Sequence, residues 1–344
     1  MSVSIFYRNP TQSVLSFKYD KKLSLKDANF SEFKKVGSRD IEKIVDASGE
    51  VNEILYFQDP TPIPLSKIYP EGFTHFDKTV LVGLVDSGVD YNHPSIAKQI
   101  LRDQDASGNT IGIGKDFYDE DAFAFDLCAG EVRSHGTSVA SIIASYSPQI
   151  MILPLRYTGN MDLREVVRYG HERGVRIFNF SLGFAEEGIK SENLKTTIRE
   201  TATLYPDTLF VWAAGNELTD LDHYPQMKED LVLPNVVYVA SVNENLELDV
   251  SDPGGSNYGL ETVDFAHFGV NQKVATPGKL HAVVSETSFA APQVAGLAAS
   301  LQLIDPKLKG AELADRLRKS VRSEVNLEGK LRYPGVPSLL GSRH

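Results

Sequence analysis

The sequence predicts an α/β fold, a three-layer α/β/α sandwich with a mostly parallel central sheet and a short N-terminal accessory segment. Two observations support this prediction. From Thr79 onward, short apolar runs rich in β-branched residues are continuous rather than alternating, as expected of strands buried on both faces of a parallel sheet. Segments with helical periodicity lie between these runs, and this alternation is typical of a doubly wound sheet with right-handed crossovers.

The predicted elements follow in chain order. The strands are TVLVGLVDSG at 79–88, IMILPLRY at 150–157, VRIFNFSLG at 175–183, TLFVWAAGN at 208–216 and NVVYVASV at 235–242. The helices between them are HGTSVASIIASY at 135–146, MDLREVVRYGHERG at 161–174 and KSENLKTTIRETATLY at 190–205. In such sheets reactive groups gather where strands end and helices begin, so we expect a site at these junctions.

Residues 1–78 differ in composition from the rest of the chain. They contain a polar, lysine-rich stretch at 19–50 and then the proline-punctuated QDPTPIPLSKIYPEG at 58–72. Proline and glycine at this density favour an extended linker. We therefore predict an accessory segment and linker at 1–78 and one large domain at 79–344, a length that supports a sizeable core.

Charge and cysteine content exclude several function classes. The net charge of -11 argues against binding through nucleic-acid phosphates or an anionic membrane surface, since both need a basic face. The single cysteine, Cys128, cannot form an internal disulfide, and the N-terminal stretch lacks the apolar core of a signal peptide. No apolar run approaches the ~20 residues of a membrane-spanning helix. We expect a cytoplasmic protein, and no pattern indicates its oligomeric state.

Four polar residues stand at predicted strand ends or helix starts. They are Asp86 in VDSGVD, His135 in SHGTSVAS, Asn216 in WAAGN and Ser288 in TSFAAPQVAG. A carboxylate in an apolar setting needs a hydrogen-bonding partner, and a side-chain amide can donate to a developing oxyanion. A hydroxyl near a helix start lies beside unpaired N–H groups and the positive end of the helix dipole. Pro292 is expected in or close to the first turn of that helix.

Each of these residues alone also has a purely structural interpretation. Asp86 fits an Asx turn, and His135 fits a structural hydrogen bond near a helix start. Asn216 fits a left-handed turn residue, and Ser288 fits a helix N-cap. Their conjunction is more specific, because they occur in the order Asp, His, Asn, Ser. Nucleophile-elbow enzymes are excluded, since G-x-S-x-G is absent around the serine.

The stretch from about residue 79 to 325 resembles the subtilase (subtilisin-like) serine peptidases. VDSGVD, SHGTSVAS and TSFAAPQVAG match the family's Asp, His and Ser blocks, WAAGN matches its oxyanion block, and NFSLG matches the strand that lines its substrate cleft. The order Asp, His, Ser is the order in subtilisin.

The resemblance implies a subtilisin-like serine endopeptidase without a cofactor, acting on a peptide or protein bound as an extended strand. It implies Asp86 as orienting acid, His135 as general base and Ser288 as nucleophile. Asn216 would complete an oxyanion hole with the Ser288 N–H. The implied substrate-binding residues are Ser181, Leu182 and Gly183 as a strand that pairs with substrate, and Ala213, Ala214 and Gly215 as a pocket wall. Two alternatives stay open: a catalytically silent peptide-binding or protein-binding module, and a peptide ligase or acyl transferase that uses the same triad.

Glu286 departs from the family, which usually has glycine before Thr-Ser. If the position needs a positive φ, glutamate imposes strain of ~1–3 kcal/mol. If the carboxylate faces the cleft, it opposes the oxyanion and raises the pKa of His135. If it turns to the helix N-terminus or to solvent, it stabilises by ~0.3–1 kcal/mol. The last case is favoured, because every other catalytic position is retained.

Two further acidic features have alternative interpretations. The segment KDFYDEDAFAFD at 115–126 could bind structural calcium, but it lacks a recognised ligand pattern and is expected to be an exposed loop. Glu217, next to Asn216, is either a pocket carboxylate that favours basic side chains or a surface carboxylate. No metal ligand is therefore predicted.

Overall fold

The computed structural model describes residues 62, 78–126, 134–157, 162–182, 192–224, 232–251 and 254–339, together with five strands in the first 56 residues. Those five strands form a sheet of order β3-β2-β1-β5-β4. They are β1 Val3–Arg8, β2 Ser13–Tyr19, β3 Leu25–Glu32, β4 Glu42–Val45 and β5 Val51–Tyr56. The sequence patterns indicated no strand here, so the N-terminal segment contains more regular structure than its composition predicted.

The central sheet has seven strands in the order β14-β13-β12-β11-β6-β10-β9, and every neighbouring pair is parallel. Its strands are β6 Val80–Asp86, β9 Lys115–Asp116, β10 Ile150–Arg156, β11 Ile177–Phe180, β12 Leu209–Ala213, β13 Val236–Val242 and β14 Phe265–Phe268. All five predicted strands are confirmed. The two outer strands, β9 and β14, are short and were not predicted.

Five helices and three small hairpins complete the described fold. The helices are α1 Gly136–Ser145, α2 Leu163–Glu172, α3 Glu192–Leu204, α4 Thr287–Ile304 and α5 Gly310–Lys319. The paired short strands are β7 Asp103–Gln104 with β8 Thr110–Gly112, β15 Gln272–Thr276 with β16 Leu280–Val284, and β17 Val321–Ser323 with β18 Gly335–Pro337. Short 3-10 turns lie at Ala97–Gln99, Leu221–His223 and Val325–Leu327. The predicted helices are therefore confirmed as α1, α2 and α3.

Two apolar cores lie on the two faces of the central sheet, as strand β12 illustrates. Leu209, Val211 and Ala213 point into the core that also contains residues of α1, α4 and α5. The alternate residues Phe210 and Trp212 point into the core that contains residues of α2 and α3. Side chains on a strand alternate between faces, so each face is covered by its own helices. The predicted three-layer α/β/α sandwich is confirmed.

Helix α4 is buried along most of its length, and its small side chains explain why. From Ala290 to Ala299, five positions are alanine and one is glycine, so neighbouring elements can approach it closely. A Cβ at Gly296 would lie 2.4 Å from the Tyr146 ring, for example. Helix α4 thereby packs closely against the end of α1. In the part of the chain that the structure describes, no helix is both long enough and apolar enough to cross a membrane.

Candidate active site

The predicted site residues meet at the carboxyl edge of the central sheet. Asp86 ends β6, Ser181 follows β11, and Asn216 follows β12, which pairs with β11. His135 immediately precedes α1, and Ser288 is the second residue of α4. The four residues that the sequence singled out thus come from the ends of two central strands, β6 and β12, and from the starts of two helices, α1 and α4.

Asp86 and His135 are in direct contact. His135 Nδ1 lies 2.9 Å from Oδ1 and 3.0 Å from Oδ2 of Asp86. Asp86 is 2% exposed, and its Oδ1 also accepts a hydrogen bond of 2.7 Å from the Ser87 N–H. A carboxylate facing Nδ1 keeps the proton on that nitrogen, so Nε2 is the nitrogen that remains basic. The His135 side chain is 24% exposed, and the imidazole is therefore accessible from the cleft.

Two glycines allow the segments around this pair to touch. Gly88 has φ +101°, and a Cβ there would lie 2.3 Å from the Phe125 carbonyl oxygen. A Cβ at Gly136 would lie 2.1 Å from the Gly88 carbonyl oxygen. No other residue type fits these positions without a backbone shift. The glycines of the DSG and HGT motifs therefore bring His135 within reach of Asp86.

Asp126 and Ser87 hold the backbone of His135, and sequence analysis missed both. The Ser87 hydroxyl accepts from the N–H groups of His135 (3.0 Å) and Gly136 (2.9 Å) and donates to Asp126 Oδ1 (2.7 Å). Asp126 Oδ2 accepts from the Thr137 N–H (2.9 Å) and from its hydroxyl. Burial raises the pKa of Asp126 against the opposing effect of these hydrogen bonds. Ser87 was visible within the DSG motif, whereas Asp126 lies in no motif.

Ser288 is not the N-cap of α4, so the structural interpretation of this serine is wrong. Glu286 occupies the N-cap position, and its side chain makes no capping hydrogen bond. The Ser288 N–H lies in the first turn of α4, where backbone N–H groups have no acceptor within the helix. Its hydroxyl donates to the Ser181 carbonyl at 3.2 Å. The His135 ring lies 5.3 Å from the ring of Phe289, the residue after the serine.

Pro292 explains the second contact between Ser181 and Ser288. Proline is the sixth residue of α4, beyond the first turn, so its predicted position was wrong. Because proline has no N–H, the Ser288 carbonyl four residues earlier loses its helical donor. The Ser181 hydroxyl donates to that carbonyl at 2.7 Å and accepts from Asn179 Nδ2 at 2.9 Å. The proline thus frees an acceptor that ties the end of β11 to the helix.

The amide of Asn216 is oriented by Thr287. Its Oδ1 accepts from the Thr287 N–H at 2.9 Å and from the Thr287 hydroxyl at 2.7 Å. The same hydroxyl accepts from the Gly215 N–H at 3.2 Å. These bonds use the acceptor end of the amide, so Nδ2 is the end left to serve as a donor at the start of α4.

The other predicted substrate-binding residues fall into three groups. Ala213, Ala214 and Gly215 are buried, and the carbonyls of Ala214 and Gly215 accept hydrogen bonds from Asn257. These three residues directly precede Asn216, and their role as a pocket wall stays a prediction. Leu182 is half-buried, and Gly183 lies outside the described residues. The carboxylate of Glu217 accepts from Asn257 Nδ2 at 2.6 Å.

Three carboxylates determine the charge state of His135. Burial alone would lower its pKa, but it is opposed by the charge and hydrogen bond of Asp86 and by the charges of Glu286 and Asp126. Together they raise the pKa of His135 to about 9. The Glu286 backbone is extended at φ 179°, so the strain considered for this position is absent. Glu286 acts on His135 through the negative charge of its carboxylate, which raises the pKa of the imidazole.

The acidic segment before His135 is partly a buried network. Asp116 and Asp126 are each 2% exposed, so the expectation of an exposed loop is wrong for both. Arg156 Nη1 lies 2.6 Å from Asp116 Oδ2 and 2.8 Å from Asp119 Oδ2. Within the described ranges, no group of three or more His, Cys, Asp or Glu side chains is arranged to hold a metal ion.

Comparison with known proteins yields consistent matches. A model described as the Subtilase family matches residues 77–341. A thermophilic serine proteinase of Bacillus sp. (strain AK1) is 30% identical over 239 residues, which are 64% of this chain and 51% of that protein. A halolysin-like extracellular serine protease of Natrialba magadii is 28% identical over 281 residues, 77% of this chain and 48% of that protein. The chain therefore spans about half the length of these two relatives.

A solved structure supports the fold. In the structure describing subtilase cytotoxin SubAB assembly, one chain is similar with a TM-score of 0.61 and 22% identity, covering 76% of this chain and 87% of that chain. This similarity shows that the two chains share the same fold of sheet and helices.

Proposed function

Because this chain belongs to the subtilase family of serine peptidases, we propose that it is an endopeptidase that uses Asp86, His135 and Ser288 as its triad. The observation that carries the proposal is the contact of His135 Nδ1 with both oxygens of Asp86, next to a serine in the first turn of a buried helix. A serine hydroxyl is a poor nucleophile unless a base removes its proton, and this arrangement supplies an oriented base.

In the proposed reaction, Ser288 Oγ attacks the carbonyl carbon of the scissile peptide bond while His135 Nε2 takes the hydroxyl proton. The tetrahedral intermediate collapses, the C–N bond breaks, and His135 returns the proton to the leaving amine. Water then attacks the acyl-enzyme and gives a proton to His135. As the ester bond to Oγ breaks, His135 returns this proton to Oγ, which releases the carboxylic acid and restores the Ser288 hydroxyl. Asp86 holds the imidazole and stabilises its protonated form.

The oxyanion of the intermediate would be stabilised by Asn216 Nδ2 and the Ser288 N–H. Thr287 holds the amide by its oxygen, so the donor is oriented before substrate binds. Preorganised donors of this kind typically contribute ~2.7–4 kcal/mol each to transition-state stabilisation. The positive end of the α4 dipole acts in the same direction.

The proposed substrate is an exposed peptide segment bound in extended form beside Ser181 and Leu182. Main-chain hydrogen bonds at a sheet edge select extended peptides, and side-chain contacts add preference. The Ser288 hydroxyl must leave the Ser181 carbonyl, 3.2 Å away, to reach His135. Substrate entry at Ser181 would favour this rearrangement by competing for the same carbonyl.

A catalytically silent binding module is the second candidate. The observation that favours it is the state of the site: the Ser288 hydroxyl donates to Ser181, and the raised pKa of His135 keeps the imidazole protonated at neutral pH. A fold with an inactive triad would still bind extended peptides at the same edge.

A serine-specific fluorophosphonate probe tests the proposal. Wild-type protein and the variants Ser288→Ala and Ser285→Ala are treated at pH 7 and pH 10 and analysed by mass spectrometry, together with a peptide library. We expect labelling and peptide cleavage in the wild type and Ser285→Ala, stronger at pH 10, and neither in Ser288→Ala. Folded wild-type protein that is neither labelled nor active at pH 10 would favour the binding module. Ligated products would indicate acyl transfer.

A further inference from the structure

Resting on the proposed peptidase function, we propose that Glu286 determines specificity by selecting peptides with a lysine or arginine immediately after the scissile bond. The residues after that bond form the leaving-group side of the substrate. Glutamate directly precedes the Thr-Ser of the motif, and the surroundings of its carboxylate suit a cationic partner.

The position of Glu286 in the sheet order places it on the leaving-group side. The acyl part of the substrate lies beside Ser181 at the end of β11, in the proposed binding mode. The Glu286 N–H donates to the Gly269 carbonyl at 3.1 Å, just beyond β14. Strands β11 and β14 lie on opposite sides of β12, which carries Asn216. A peptide that enters at Ser181 and crosses the oxyanion site therefore continues towards Glu286.

The Glu286 carboxylate is available to a ligand. The residue is half-buried, its side chain does not cap α4, and no described residue donates a hydrogen bond to its carboxylate. The neighbouring Ser285 hydroxyl is already used, since it accepts from the Asn271 N–H at 2.9 Å. Val283, on the preceding strand β16, is 66% exposed. A lysine or arginine has an aliphatic stem that suits such an apolar surface and a charged head that suits the carboxylate.

The acidic character continues past Glu286. A cavity of about 630 Å³ is lined in part by Glu247, Asp249 and Val270, which follows Gly269 in the chain. Asp249 is 4% exposed, and its Oδ2 has no hydrogen-bond partner among the described residues. Lys330 also lines this cavity and offsets one of the two carboxylates. The remaining negative charge favours a basic leaving-group segment.

Cation binding at Glu286 also affects the catalytic base. The charged groups that act on His135 are Asp86 at the end of β6, Asp126 before α1 and Glu286 before α4. A cationic substrate group beside Glu286 offsets one of these negative charges and leaves the other two in place. It also removes the repulsion between Glu286 and the oxyanion. A peptide without the cation lacks the contact with Glu286, and the charge of Glu286 continues to repel the oxyanion.

The test compares two peptides that differ only in the residue after the scissile bond, lysine or glutamine. We measure kcat/KM at pH 8 and low salt for the wild type, Glu286→Gln and the matched control Glu217→Gln. Glu217 adjoins Asn216, but its carboxylate is held by Asn257. We expect the wild type and Glu217→Gln to prefer lysine about tenfold or more, the size of one charge-assisted contact. The preference should disappear in Glu286→Gln and weaken in 1 M salt.

The outcomes separate this inference from the proposed function. Cleavage or probe labelling that depends on Ser288, without a lysine preference, would overturn the inference alone. A preference that survives Glu286→Gln would also overturn it. If the protein is labelled but does not cleave, the same preference is measured from competition between each peptide and the probe. Absence of labelling, cleavage and competition would overturn the proposed function and this inference together.

Discussion

Raising the pH from 7 to 10 should strongly increase the proposed peptidase activity, because His135, the proposed general base, has a raised pKa. His135 has a pKa of about 9 in the folded protein, and only its neutral form can take the Ser288 proton. At pH 7 the neutral fraction of such a group is about 1%. We therefore expect kcat/KM at pH 7 to be roughly a hundredfold below its alkaline plateau and to rise about tenfold per pH unit between pH 7 and 8.

The assay is kcat/KM from pH 6 to 10.5 with a peptide that carries no titratable side chain and has blocked termini. This parameter reports the pKa of the free enzyme, so the half-maximal value should fall near pH 9. Glu286→Gln should move the midpoint to lower pH, because one of the negative charges that hold the proton is removed. Glu217→Gln should leave the midpoint unchanged. A midpoint near 6.5 in the wild type, or an identical midpoint in Glu286→Gln, would refute the electrostatic reasoning.

Three substitutions test the rest of the site and one buried group of the fold. Asp86→Asn should lower kcat about ten-thousandfold with the circular dichroism spectrum unchanged, because the imidazole loses the carboxylate that fixes its tautomer. Asn216→Ala should lower kcat about 10²–10³-fold in steady-state assays, with a smaller change in KM, since the lost donor acts on the transition state. Burial lowers the pKa of His267 to about 4, so the free energy of unfolding should fall by about 3 kcal/mol as the pH drops from 6.5 to 4. In His267→Gln, urea titrations should show that much less acid sensitivity.

The central strands were predictable because their burial requires apolar residues, which are visible in the sequence. Each of β6, β10, β11, β12 and β13 packs into the interior on both faces, so nearly every residue is apolar. The outer strands are too short to give a run of apolar residues. Strand β9 has two residues and β14 has four, and both pair on one side only. The strands within the first 56 residues were missed for a related reason, since their runs mix polar and apolar residues, as in SVLSFKY.

The contact between Asp86 and His135 was predictable because the residues next to them in the chain are constrained as well. The motif glycines are required by contacts of 2.3 Å and 2.1 Å that a Cβ would make, so each motif describes a local geometry. Asp126 binds Ser87 and Thr137, which are distant from it in the sequence. The residues adjacent to Asp126 form no motif that would predict these contacts. Pro292 was misplaced because the exact first residue of α4 depends on Thr287 binding Asn216, a contact between distant segments.

The three carboxylates around His135 differ in how firmly the fold holds them, and this difference identifies the adjustable one. Asp86 and Asp126 are buried and accept hydrogen bonds from neighbouring groups, so neutralising either would break contacts that maintain the loops. Glu286 is half-buried, and its carboxylate accepts no hydrogen bond from the described residues. Its charge can therefore be offset by a substrate, or removed by substitution, at a cost in stability that we expect to stay within about 0.5 kcal/mol. The pKa of the base can thus change at this position while the geometry of the triad does not.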